Sequence, residues 1–206
     1  MRFIASKIGL CWLMCVFGIV GLSSIGYSQA KTDGISQEKV QNLLDTLDDI
    51  DKLNVLIPLD LTSAQCTKMA EAIQDEQNAY DRKLKLLSKK SLGDLEKEIV
   101  ERKKRALEGE QLPKPFIVTI LAFSKKRAGF TTEMLATLSP KLQKILTVKQ
   151  IAAAAKLARE YPKTDGSESK GTDIQWFNFY VLNVVMTYPR MAPLLKELAA
   201  SKAMGN

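Results

Sequence analysis

The chain has 206 residues, 26% charged and 46% hydrophobic, with a formal net charge of +7 and no histidine. Without histidine, Ser-His-Asp and Cys-His nucleophile arrangements are excluded, along with the imidazole ligands most used for zinc, copper and nickel. No calcium loop of the Asp-x-Asp-x-Asp-Gly kind, Gly-rich phosphate loop or nucleophile elbow occurs, so no catalytic residue, metal or cofactor is expected.

The first thirty residues read as a targeting segment. Arg2 and Lys7 form a basic start, Ile8 to Leu22 is uncharged and apolar, and Ser28-Gln29-Ala30 offers a small-residue cleavage site. The expectation is a secretory signal peptide over 1–30, cleaved after Ala30. An uncleaved anchor is the alternative, although the apolar run falls short of the roughly 20 residues a span needs. Cys11 and Cys15 lie in this run without the small residues that a lipidation site requires. Export places the protein in the periplasm or another extracytoplasmic compartment, with no stable membrane insertion after cleavage. Loss of Arg2 and Lys7 lowers the charge to +5, a weak preference for acidic or mixed partners. Residues 31–206 are then one all-helical domain, with a sub-region boundary near 111–115.

Cys66 is the one cysteine beyond residue 30, so no intramolecular disulfide can form there. In an oxidising compartment it is either a small buried apolar residue or an intermolecular bridge. Its position favours burial.

Taken in order, Val40, Leu43, Leu47 and Ile50 mark one face of a helix from about Ser36 to Leu53, and Asp45, Asp48, Asp49 and Asp51 make the other face acidic. A connector with Pro58 follows. A long helix, about Ser63 to Ser88, carries Cys66, Met69, Ile73, Tyr80, Leu84 and Leu87 near a 3-4 spacing. Ser91-Leu92-Gly93-Asp94 looks like a new helix start, with Leu92, Leu95, Ile99 and Ala106 on one face. The tight connection between these two helices predicts an antiparallel hairpin.

Pro113 and Pro115 break the chain. Phe116 to Phe123 is read as helix, and Thr132 and Ser139-Pro140 as the starts of two short helices with Leu135, Leu138, Leu142 and Ile145 inside. A helix from about Val148 to Tyr161 carries four consecutive alanines, 152–155, which allow close approach. Lys163 to Gly171 is the least ordered interior stretch expected. Thr172-Asp173-Ile174-Gln175 is a further capping box, Trp176 to Tyr188 is an uncharged apolar helix expected at the centre of the core, and Pro189 and Pro193 precede a last helix with Leu194, Leu195 and Leu198 inward. The fold class is all-α: a helical hairpin or bundle with additional short helices.

Two stretches share one pattern. Leu61-Thr62-Ser63-Ala64-Gln65 and Leu146-Thr147-Val148-Lys149-Gln150 are both L-T-x-x-Q, each directly before an amphipathic helix. Thr at the N-cap accepts from the N3 amide and Gln at N3 reaches back to the N-cap amide, a capping box. The preceding Leu is placed to staple against the N4 residue, Cys66 or Ile151.

On Leu61, Thr62, Gln65, Leu146, Thr147 and Gln150 the chain resembles the LTxxQ-motif family of bacterial envelope proteins, the Spy/CpxP type. The resemblance implies a secreted, all-helical, disulfide-free and non-catalytic protein with an ATP-independent chaperone or envelope-stress function. Its partners would be unfolded or envelope proteins.

Two readings of the remaining surface stay open. In the first, a chaperone-like binder presents scattered apolar side chains and a basic rim to partly unfolded clients. The rim residues are Lys83, Lys85, Lys89, Lys90, Arg102, Lys103, Lys104 and Arg105. In the second, a structural or regulatory helical protein docks one envelope partner or self-associates as a homodimer. A solvated helix exterior is the competing account of the same charges. Nucleic-acid binding by Arg102-Lys103-Lys104-Arg105 or Lys125-Lys126-Arg127 is not expected, given export and the glutamates flanking the first run.

Overall fold

A computed structural model describes residues 36–160 and 170–204, and it is helical without strands among them. The expected signal peptide and most of the expected 163–171 loop lie outside the described residues. The helices are α1 (Gln37–Leu56), α2 (Ser63–Leu92), α3 (Glu96–Leu107), α4 (Lys114–Ile145), α5 (Val148–Glu160), α6 (Asp173–Tyr180) and α7 (Met191–Met204). The all-α reading holds. None of these helices is long and apolar enough to cross a membrane.

The chain divides into two compact units, residues 1–44 and 45–206. The described part of the first is the opening of α1. The Ser36 hydroxyl accepts from the Lys39 amide at 3.2 Å, and Val40, Leu43 and Leu44 are exposed.

In the second unit the core is built around the two ends that the motifs open. Cys66, Met69, Ala70 and Ile73 at the start of α2 are buried, with Leu138 and Leu142 of α4 and Ala154 and Ala158 of α5. The strip from α6 onward supplies the bulk: Phe177, Tyr180, Val181, Val184 and Val185, then Met191, Leu194 and Leu195 of α7. Full burial of each such large side chain contributes about 1.5–3 kcal/mol. α2 packs on α7 and α4, and α5 packs on α6, where buried Ala154, Ala155 and Ala158 present small side chains. Cys66 is fully buried, and burial pushes its thiol pKa up, so it is a core residue and an unreactive one.

The apolar helix expected through Tyr188 is central, but it is not uniform. After Tyr180 it widens into a π-helical turn, Val181–Val185, with the Met186 amide donating to the Val181 carbonyl at 2.9 Å. The Tyr180 hydroxyl donates to the Val55 carbonyl at 3.1 Å, and burial raises its pKa.

Four features differ from the sequence reading. First, α2 does not fold back on the next helix. Leu92, Gly93 and Leu95 keep negative φ in a 3-10 turn, so the chain carries on instead of reversing, and no side chain caps α3. The reversal comes after α3, in a Schellman motif: Gly109 takes φ +91°, and the Glu110 and Gly109 amides donate to the Arg105 and Ala106 carbonyls. The antiparallel partner of α2 is therefore α4, tied by Lys83–Glu133 at 2.6 Å and Glu76–Lys141 at 2.6 Å.

Second, α4 is one helix and not three pieces. Thr132 does not cap a new helix; its hydroxyl donates to the Ala128 carbonyl four residues back, as that of Thr131 does to Arg127. Pro140 sits inside the helix, where its missing N–H leaves the carbonyl of exposed Ala136 to water. Buried Ser139 beside it donates to Asn178 Oδ1 and accepts from Gln143 Nε2.

Third, within the second unit α1 is held by its acidic face. Asp49 accepts from the Tyr188 hydroxyl at 2.5 Å and from Arg190 at 2.7 Å, and Lys52 lies 5.8 Å from the Tyr188 ring centroid. Leu47 and Ile50 of the expected apolar face are exposed, because the carboxylates meet Arg190 from the other side. Fourth, Pro193 lies inside α7, which starts at Met191, and so does not precede that helix.

Candidate functional site

Both L-T-x-x-Q motifs are capping boxes. Thr62 N donates to Gln65 Oε1 at 3.0 Å, and Gln65 N donates to Thr62 Oγ1 at 3.2 Å. In the second copy the same two bonds measure 2.9 and 3.3 Å between Thr147 and Gln150. Leu61 and Leu146 are buried, as staple residues should be. Cys66 is buried with Leu61, and Ile151 is half-buried against the core.

The glutamines do more than cap. Gln65 Nε2 donates to Gln150 Oε1 at 2.8 Å, and Gln150 Nε2 donates to Gln65 Oε1 at 3.0 Å, a reciprocal amide pair between positions 85 residues apart. The remaining hydrogen of each Nε2 donates to the other motif's lead-in: Gln65 to the Ile145 carbonyl at 3.0 Å, Gln150 to the Asp60 carbonyl at 3.1 Å. Both N–H donors of each amide are thus used, and each oxygen accepts from two N–H groups. Asp60 reaches its place with φ +47°, a left-handed conformation that Asp tolerates better than most residues. The pairing fastens the N-termini of α2 and α5 to each other, and the Ser63 hydroxyl ties α2 to the Ala199 carbonyl of α7 at 2.8 Å.

Sequence reasoning took the two glutamines as local caps and missed the pair. The available signal was the duplication itself, since two boxes of one geometry can present matching amides across a local two-fold. The third box is a control. Thr172 and Gln175 make the same two backbone bonds at 2.9 and 3.3 Å, but Gln175 is exposed and reaches no other segment among the described residues. It lacks the preceding Leu, and among the described residues it lacks a partner.

The basic rim lies at the other end of the unit and is not one set. Lys83 pairs with Glu133 and stands 5.8 Å from the Phe130 ring centroid, so it braces α2 against α4. Arg102 pairs with Glu98 and Glu110, and Arg105 with Glu101 and Glu110. These two arginines serve the helix itself and its C-terminal turn. Lys85, Lys89, Lys90, Lys103 and Lys104 are exposed, with no carboxylate of the described residues at ion-pair distance.

Apolar side chains stand among them. Leu86 is 70% exposed, Val100 66%, Leu107 81% and Val118 64%, and no side chain of α3 is fully buried, Ile99 and Arg102 being half-buried. The surface of α3 carries a shallow open depression lined by Glu96, Lys97, Val100, Glu101 and Lys104. No group of three or more metal-ligating side chains occurs among the described residues. The arrangement offers wide, weakly shaped contact, with positive charge beside aliphatic surface.

Compared with known proteins, the chain matches no family model, no curated protein and no solved structure. The resemblance at the L-T-x-x-Q motifs therefore rests on those residues alone.

Proposed function

We propose that this protein is a non-catalytic, extracytoplasmic binder of partly unfolded proteins, working without ATP in the manner of a chaperone or an envelope-stress protein. The observation that carries the reading is the composition of the limb formed by the end of α2, α3 and the start of α4. Leu86, Val100, Leu107, Val118 and Leu121 are exposed there, on helices that also carry lysines unpaired among the described residues; at the motif end Leu61, Cys66, Met69 and Leu146 are buried, and the exposed aliphatic side chains are Ile57 and Val148. A soluble protein seldom leaves so many large aliphatic side chains open without a use for them. Lysine charge steers an approaching chain at long range, and aliphatic contacts hold it weakly and with little sequence preference. The L-T-x-x-Q residues take a structural role in this account.

The test is suppression of aggregation of two unrelated unfolding clients by the purified protein, without ATP, at low and moderate salt. The expected result is suppression of both, weaker at the higher salt. Replacing Leu86 and Val118 together by Ser should weaken it further with no loss of helix content. No effect on either client would overturn the reading and leave a dedicated envelope interaction protein, docking one partner, as the account of the same surface.

A further inference from the structure

A helix of 12 residues with no fully buried side chain is marginal alone in water. α3 is supported by the i,i+4 pairs Glu98–Arg102 and Glu101–Arg105 and by its Schellman end. Those pairs occupy the arginines and most of the acids. What remains on the outward side is predominantly basic: Lys97, Lys103 and Lys104 on α3, continued by Lys85, Lys89 and Lys90 on the last turns of α2, against the carboxylates of Glu96 and Glu108.

The spacing on that side is also regular. Glu96, Val100, Lys103 and Leu107 share one face at intervals of 4, 3 and 4, with aliphatic Val100 and Leu107 seven residues apart, a spacing along which a second helix can lie. Val100 and Leu107 supply its aliphatic points, and the shallow depression lined by Lys89, Leu92, Gly93, Glu96 and Ile99 continues it toward α2. At Gly93 a side chain would meet nothing within 4 Å, so the surface is open enough for a neighbouring ridge to enter.

We propose that the outward face of α3, with the end of α2, is a docking surface for an acidic amphipathic helix of a partner protein. The sign of the partner follows from the unmatched lysines, and its helical form from that spacing. An anionic membrane would want larger interfacial side chains than one Val and one Leu on α3, and none of Trp, Tyr or Phe lies in that helix. A second copy of this same face is disfavoured, because it would set lysines against lysines. The proposal rests on the binding reading above for the class of partner and narrows it to one surface.

The experiment uses three probes against the purified protein. Two are labelled helical peptides with leucine at a and d positions, one with glutamate and one with lysine elsewhere; the third is phosphatidylglycerol vesicles. Anisotropy should show binding of the glutamate peptide, weaker at higher salt, and no binding of the lysine peptide. The double variant K97E/K104E should weaken it about tenfold or more with unchanged helix content, and K125E/K126E on α4 should leave it unchanged. Equal binding of both peptides, equal loss in the two double variants, or binding of vesicles alone would overturn the proposal. If the peptide fails to bind while aggregation suppression persists, the surface assignment falls and the general reading stands. If the peptide binds and no aggregation is suppressed, the docking surface stands and the general reading falls.

Discussion

Two ends of the second unit are built from the same kind of amphipathic helix and end in opposite states. At the motif end, Cys66, Met69 and Ile73 of α2 are buried, and the polar groups of Gln65 and Gln150 are consumed by each other and by backbone. At the limb end, α3 has an equally periodic pattern and fully buries no side chain, and its two arginines pair with Glu98, Glu101 and Glu110 of the helix and its C-terminal turn. Periodicity therefore tells which residues share a face. Whether that face is covered depends on where the chain reverses, and the reversal falls at Glu108–Pro113 instead of between α2 and α3.

The comparison breaks most visibly in the core. Phe177→Ala removes a fully buried ring and should cost about 3–5 kcal/mol, while Leu107→Ala, at an exposed site, should stay within about 0.5 kcal/mol. Chemical denaturation of the two variants measures both. Similar losses would mean that the limb is packed after all.

The glutamine pair sharpens the comparison next. Gln65→Ala and Gln150→Ala should each cost about 1–3 kcal/mol, because each strands partners at the motif interface. Combined, they should cost less than the sum, with a coupling of about 0.5–3 kcal/mol. Gln175→Ala, in the isolated third box, should be the mildest of the three and additive with either. Additivity between Gln65 and Gln150 would reduce the pair to two separate caps.

How much of this was legible in the sequence depends on range. The capping boxes were readable, because Thr-x-x-Gln acts over three residues, and the threonines prove it by accepting the N3 amides. Helix content was readable for the same reason. The partner of α2 was not, because it depends on whether Leu92–Leu95 reverses the chain, and those residues can adopt helical angles or turn angles with little difference in energy. Thr132 of α4 misled because a hydroxyl that caps a helix start can equally bond the carbonyl four residues back inside a helix. The amide pair required knowing that two segments 85 residues apart meet. The exposure of Leu47 and Ile50 depended on Arg190, far off in sequence, meeting Asp49 on the other side of α1.

Single caps come after the pair. Thr62→Ala and Thr147→Ala should each lower stability by about 1 kcal/mol, read in the same denaturation experiment. Unchanged stability with lost binding would instead make the threonines contact residues.

The smallest effects concern pH. Burial pushes Glu76 up, but hydrogen bonds from Lys141 and Thr137, with the charges of Lys141 and Lys83, outweigh it and hold its pKa below the usual value. A lowered carboxylate stabilises the fold at neutral pH, and that share is lost as the pH falls through the folded pKa. Tyr188 is the alkaline counterpart: burial and then its bond to Asp49 raise it to about 12, so its contribution is lost as the pH rises from about 10 toward that value. Titration of stability should show Glu76→Gln flattening the acid slope and Tyr188→Phe the alkaline one.

Native-state hydrogen exchange tests the contrast between the two ends most directly. Amides of Met69–Ile73 in α2 and Ala154–Ala158 in α5 should exchange only through global unfolding, and Gln65→Ala should lower both sets together. Amides of Ile99–Arg105 in α3 should exchange through local opening, at a clearly lower free energy that the same substitution leaves unchanged. Protection of α3 equal to that of the motif helices, or its loss in step with theirs, would contradict a unit locked at one end and open at the other.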